Sequence, residues 1–279
     1  MSEAGTVLLE LEGEVALVTL AAPARGNSLD RAMLSRLEEL LRGLPAQARV
    51  LLLRGAGQRA FSTGYHLPTL LAELAEGESV VDFEGHPLER ALRALEAVAV
   101  PTIALVGGHA WGAGCELALT CDLRLASDDA QLCMPPAKLG VLYSLTGLQR
   151  LVSLVGPAVA EEMIYTAEPV PAERALAVGL VNRIYPAADL QQAGREMARR
   201  IARNEPLSLR HHKALFRRLR AAAPGREVLE EVARMRLECF RNPEFLTRAG
   251  GPARETRAGA AGRPREPGAG PVDSGPAPG

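Results

Sequence analysis

Apolar and polar positions alternate over Val7–Leu11 and again over Val15–Leu20, on either side of Glu12-Gly13-Glu14, a pattern that predicts a β-hairpin. After a loop at Ala21–Ser28 the period changes. Leu29, Met33, Leu37, Leu40 and Leu41 form a helical stripe, and Ser28 stands where it can cap that helix. Val50–Leu53 reads as a short buried strand closed by Arg54-Gly55-Ala56-Gly57. Phe61-Ser62-Thr63-Gly64-Tyr65-His66-Leu67 follows as a turn, Gly77–Gly85 as a mobile loop, and Leu88–Val98 as an amphipathic helix.

The pattern is densest in Pro101–Ser127. Thr102–Val106 is an apolar run bounded by Pro101 and Gly107-Gly108, a buried strand ending in a tight turn. Gly112-Ala113-Gly114 leads into Cys115–Cys121 at helical spacing, and Leu123–Ala126 is a second buried strand. A small-residue turn that opens a helix leaves N–H groups without intrahelical partners at the positive end of the dipole. It can hold a ligand or a developing oxyanion, or it can simply serve close packing.

Further on, Gln131–Met134 reads as a short strand, Pro135-Pro136 as a bar to helix, and Leu139–Gly147 as a loop carrying Tyr143. Leu148–Val155 and Ala158–Thr166 have helical spacing on either side of Gly156-Pro157. A helix from Pro171 to Val178 stops at Gly179, and Val181–Tyr185 is strand-like. Leu190–Arg203, Leu207–Arg220 and Glu227–Arg241 read as amphipathic helices. Strands and helices alternate early and helices dominate late, which is an α/β class.

Composition narrows the classes. The 279 residues suffice for one large domain or two small ones, and 47% apolar content with 4% aromatics suits an aliphatic core. A net charge of −1 offers no basic field for nucleic acid or a membrane surface. With no signal peptide and no bilayer-length apolar run, a cytoplasmic protein is expected. Cys115, Cys121, Cys133 and Cys239 lack metal-ligand spacing, so free thiols and no metal are expected. P-loop, dinucleotide, nucleophile-elbow and zincin patterns are absent.

Three stretches together resemble the crotonase superfamily, the enoyl-CoA hydratase/isomerase family. These are Phe61–Leu67, Gly107–Ala126, and Pro135–Gly140 followed by Leu148-Gln149-Arg150-Leu151 and Ala175–Tyr185. The resemblance runs from about Val7 to Phe240 and implies a spiral of ββα units with a C-terminal helical region. The division it implies is a core over 1–200 with the acyl-CoA site, a helical trimerisation region over 201–249, and a disordered tail over 250–279. It also implies a homotrimer or hexamer acting on acyl-CoA or acyl-carrier thioesters, with no cofactor beyond the coenzyme A of the substrate. The shared step is a thioester enolate held by two backbone N–H groups, which by position are those of Tyr65 and Ala113. Gly64 and Gly112 precede them. Arg25 falls where the family contacts the CoA diphosphate, and His66 stands where the family carries aspartate. Arg25, His66, Gly64 and Gly112 are the substrate-binding candidates; Arg25 and His66 each also read as a surface residue.

Glu116 matches the first of the two glutamates of a typical hydratase, or is a carboxylate favoured by the helix dipole. The second glutamate is replaced by Pro136. The run Leu139–Gly147 instead resembles the loop of methylmalonyl-CoA decarboxylase, whose tyrosine at the Tyr143 position orients the departing carboxylate; packing within the loop is the other reading. The expectation is therefore a lyase with decarboxylase-like chemistry carried by Tyr143 and Glu116. The alternatives are a 2-enoyl-CoA hydratase or isomerase, and a non-catalytic acyl-CoA-binding homologue. His109 and Trp111 read as packing residues, and Arg210, His211, His212 and Lys213 as a solvated basic face.

Overall fold

Strands of two sheets alternate along the chain in a computed structural model that describes residues 5–69, 85–139, 143 and 145–221. The predicted hairpin is β1 (Thr6–Glu12) and β2 (Val15–Ala21), antiparallel with Glu12 opposite Val15. β2 then pairs in parallel with β3 (Val50–Gly55). β3 pairs with β5 (Thr102–Val106), β5 with β7 (Leu123–Ser127), and β7 with β10 (Arg183–Tyr185), all parallel. This six-stranded sheet has the order β1-β2-β3-β5-β7-β10. The second sheet, β4-β6-β8-β9, consists of β4 (Ala60–Ser62), β6 (His109–Trp111), β8 (Gln131–Cys133) and β9 (Val170–Pro171). From β3 to β8, each turn of the chain gives one strand to the large sheet, the next to the small one, and then a helix. This is the ββα spiral expected from the sequence.

Alternation along each strand divides the core in two. Leu17, Leu52, Leu105 and Leu125 pack on one side of the large sheet with Leu190 and Ala198 of a helix at Leu190–Ala202. Val18, Leu53, Ala104 and Ala126 pack on the other. There they meet α1 (Arg31–Arg42), α2 (Pro87–Ala97) and α3 (Ala113–Thr120). Sheets buried on both faces carry continuous apolar runs, which is why these strands read as unbroken aliphatic stretches. All eight residues of α3 are buried, so it shows no polar face.

Several boundaries depart from expectation. Asp30, not Ser28, caps α1, its carboxylate accepting from the Met33 N–H at 2.9 Å. The chain is still extended at Leu29, which pairs with Tyr65 in a parallel bridge. Pro136 opens a short helix at Pro136–Leu139, because a proline at the first helical position has no intrahelical bond to lose. The expected break at Gly156-Pro157 is present: after α4 (Pro136–Leu139), α5 (Leu145–Thr166) consists of two helical segments that meet at Gly156, which has the non-helical φ 75 and ψ 167. The expected solvated face near Lys213 is corrected. Lys213 is buried, donating to Val100 O at 2.8 Å and meeting Asp122 at 2.7 Å. Most of Gly77–Gly85, together with Glu227–Arg241, Cys239 and the 250–279 tail, lies outside the described residues. Among the described residues no helix is long and apolar enough to cross a membrane.

One side chain ties the early loop to the small sheet. Asn27 is buried at φ 55, and its amide bonds Ala22 N, Ala56 O and Ala60 O at 3.0, 2.9 and 2.8 Å. Asn27→Ala strands these groups in the interior and should cost at least about 2 kcal/mol. Urea unfolding checks this; a midpoint matching the parent would show that the loop is held by other contacts.

Candidate active site

The site forms where two turns leave neighbouring strands of the small sheet. The turn after β4 is fastened to the loop before α1: Thr63 N donates to Gly26 O, Ser62 Oγ to Asn27 O, and Leu29 N to Gly64 O, at 3.0, 2.8 and 2.8 Å. His66 N donates to Leu29 O at 2.8 Å. Leu29 thus takes up Gly64 O and His66 N, and the intervening Tyr65 has its own N–H and C=O on the opposite side, as a parallel bridge requires.

The turn after β6 opens α3. Gly112 is its N-cap with φ 51 and no side-chain cap, and the Ala113 N–H, at the first helical position, has no intrahelical acceptor. The two turns touch. Gly64 has φ 96, and a Cβ there would come within 2.8 Å of Trp111 O and 3.4 Å of Ala113 N. The backbones of Tyr65 and Ala113 are therefore neighbours, an arrangement only a glycine at position 64 permits.

Tyr143 reaches the same place, for a Cβ on Gly112 would lie 3.6 Å from its hydroxyl. Burial raises the phenol well above its usual range, with Cys115, Glu116 and Cys133 adding to the effect, so the hydroxyl keeps its proton. Glu116 lies on the first turns of α3 and is 2% exposed. Burial, then repulsion from Glu89, raises its carboxyl from 4.5 to about 7, against the pull of Arg150. Its Oε1 is buried without a hydrogen-bond partner, and Arg150 Nη1 is 3.8 Å away.

The remaining candidates lie around this centre. Arg25 is part-buried and committed to Asp30, with Met33 Sδ at 3.3 Å. His66 Nδ1 is 2.9 Å from Thr69 Oγ1. His109 and Trp111 share one face of β6, with ring centroids 5.3 Å apart. Cys115, Cys121 and Cys133 are free and buried, and among the described residues no cluster could hold a metal ion. Sequence reasoning passed over Glu89 and Arg150 as members of the site. Nothing local marked them, since Glu89 shares its helical row with Arg93 and Glu96, and Arg150 stood out only as part of the Leu148–Leu151 stretch.

A model of the enoyl-CoA hydratase/isomerase family matches residues 10–246. The chain belongs to that family. It is 34% identical to the short-chain-enoyl-CoA hydratase of Clostridium acetobutylicum over 222 residues, 77% of this chain and 82% of that protein. It is 33% identical to the carnitinyl-CoA dehydratase of Escherichia coli K12, over 75% of this chain and 79% of that protein. The solved structure of DspI from Pseudomonas aeruginosa superposes with a TM-score of 0.79 at 30% identity, covering 89% of this chain and 94% of that one.

The raised Glu116 carboxyl predicts a pH dependence of stability. Between about pH 4.5 and 7 the folded chain holds a proton that the unfolded chain has released, so stability falls as pH rises through that window and stays lower above it. Glu116→Gln removes the penalty. Relative to the parent, the variant should gain about 2–3 kcal/mol on going from pH 4.5 to 8. Parallel curves in urea unfolding would dismiss the buried-carboxyl account.

Proposed function

We propose that this family member binds an acyl-CoA thioester with its carbonyl oxygen between the N–H groups of Tyr65 and Ala113, and that it performs hydratase/isomerase chemistry with Glu116 as the proton carrier. The observation that carries the reading is the contact of the Gly64 turn with the Ala113 N–H, one helical turn from a buried carboxyl near pKa 7. Negative charge grows on the thioester oxygen only as the enolate forms. Fixed amide dipoles in a dry site therefore favour the transition state over the substrate. A carboxyl near pKa 7 is both available as a base and competent as an acid at neutral pH.

With Pro136 at the second glutamate's position, both proton transfers fall to Glu116. In a double-bond shift, Glu116 takes the α-proton of a 3-enoyl thioester and returns it at the γ-carbon. In hydration, it takes a proton from the water that adds at the β-carbon and delivers it to the α-carbon. The hydratase and dehydratase names of the relatives support this family chemistry over the decarboxylase-like expectation. Glu116→Gln should lower kcat on crotonyl-CoA or a 3-enoyl-CoA by about 10²–10⁴-fold. A variant turning over at the parent's rate on both substrates would overturn the assignment.

A second reading rests on the Tyr143 hydroxyl beside Gly112. A protonated phenol there can hold the carboxylate of a malonyl-type thioester out of the thioester plane, so that its loss as CO₂ leaves the same enolate in the same amide pair. On methylmalonyl-CoA, Tyr143→Phe should then lose at least about 10-fold in kcat, roughly one charge-assisted hydrogen bond. Equal rates for Phe and Tyr, with product followed by mass, would retire the decarboxylase reading.

A further inference from the structure

The Glu116 carboxyl meets charge from several elements. Glu89 of α2 and Arg150 of α5 act on it, Tyr143 interacts with it from the loop before α5, and Cys115 lies next to it on α3. The strands packed against α3 add His109 as their one titratable side chain. Arg150 is the cation in this set. Its side chain is 11% exposed; Nη2 meets Glu96 Oε2 at 3.4 Å, and Nη1 faces Glu116 Oε1 at 3.8 Å. Those last two atoms are both buried, and neither has a hydrogen-bond partner. A buried donor and a buried acceptor thus confront each other just beyond bonding distance. At that range the guanidinium attracts the carboxylate without occupying the lone pair that a substrate proton needs.

The geometry points to Arg150 as a positioning residue for Glu116, one guanidinium held between the Glu96 and Glu116 carboxylates that orients the Glu116 carboxyl while leaving its Oε1 without a hydrogen bond. Glu96 serves as the tether. Its side chain is 41% exposed, so it can hold one arm of the guanidinium while the other reaches the buried Glu116. This inference rests on the proposed role of Glu116. It also divides the labour in the site: backbone amides take the oxyanion, Glu116 takes the proton, and Arg150 governs how readily Glu116 gives it up.

The test is a titration of the full-length protein carrying ¹³C-labelled glutamate carboxyls, with the Glu116 resonance assigned by its disappearance in Glu116→Gln. Arg150→Gln removes the cation and should raise the Glu116 midpoint by about one pH unit. Arg150→Lys should restore it most of the way. Glu96→Gln removes the competing anion at a half-exposed position and should lower the midpoint by a few tenths of a unit; this arm decides the matter if Arg150→Gln does not fold. In steady-state kinetics on crotonyl-CoA, Arg150→Gln should lower kcat about 10-fold or more with KM little changed, and shift the pH–rate profile in step with the titration. A Glu116 midpoint unmoved by either substitution overturns the inference. Undiminished turnover by Glu116→Gln, with the midpoints moving as expected, overturns the functional reading instead.

Discussion

The site depends on one contact between main chains. The turn holding Gly64 lies against Trp111 O and Ala113 N so closely that no side chain fits between them. Asn27 and Ser62 fasten the first turn from behind, and Gly112 N donating to Cys133 O at 2.9 Å fastens the second. None of these groups carries a charge. What they fix is direction, and a fixed amide dipole costs no reorganisation when charge develops beside it.

The spiral explains why the turns meet. β4, β6 and β8 are parallel neighbours in the small sheet, so the segments leaving their carboxyl ends emerge side by side. Those segments carry Gly64-Tyr65, Gly112-Ala113 and, after β8, Tyr143. Open parallel sheets bind ligands at the carboxyl ends of their strands, and this small sheet follows the same geometry. Residues some 40 positions apart in the chain become neighbours because the repeat returns to the same edge with each turn.

Burial sets the proton affinity of Glu116. Apart from Glu116 and Thr120, α3 is built of small and apolar residues, and such a buried helix normally carries no charged residue. Held there, the carboxyl exchanges stability for a proton affinity near neutrality. Arg150 stops short of forming a full ion pair with it. A close, fully bonded pair would have stabilised the carboxylate and drawn its proton affinity back toward that of an ordinary surface glutamate.

By itself the sequence determined the strands of the large sheet, the α/β class, the family motifs and a helix with one acid near its start, because each of these is written in local periodicity or in contiguous residues; of the small sheet it showed only Gln131–Cys133, since Ala60–Ser62, His109–Trp111 and Val170–Pro171 are too short to carry a period. Its errors were also local. It placed the α1 cap at Ser28, and it took Pro136 to exclude a helix that the proline in fact begins. It read Lys213 as part of a solvated face, since the periodicity of one helix cannot reveal that Asp122 waits in the wall against which it packs. Tertiary structure alone decided that the turn holding Gly64 lies against Trp111 O and Ala113 N, that Tyr143 lies over Gly112, and that Arg150 and Glu89 act on Glu116 with opposite effect. These are relations across long separations in the chain. They arise from strand register and helix packing, and no stretch of residues read in order contains them.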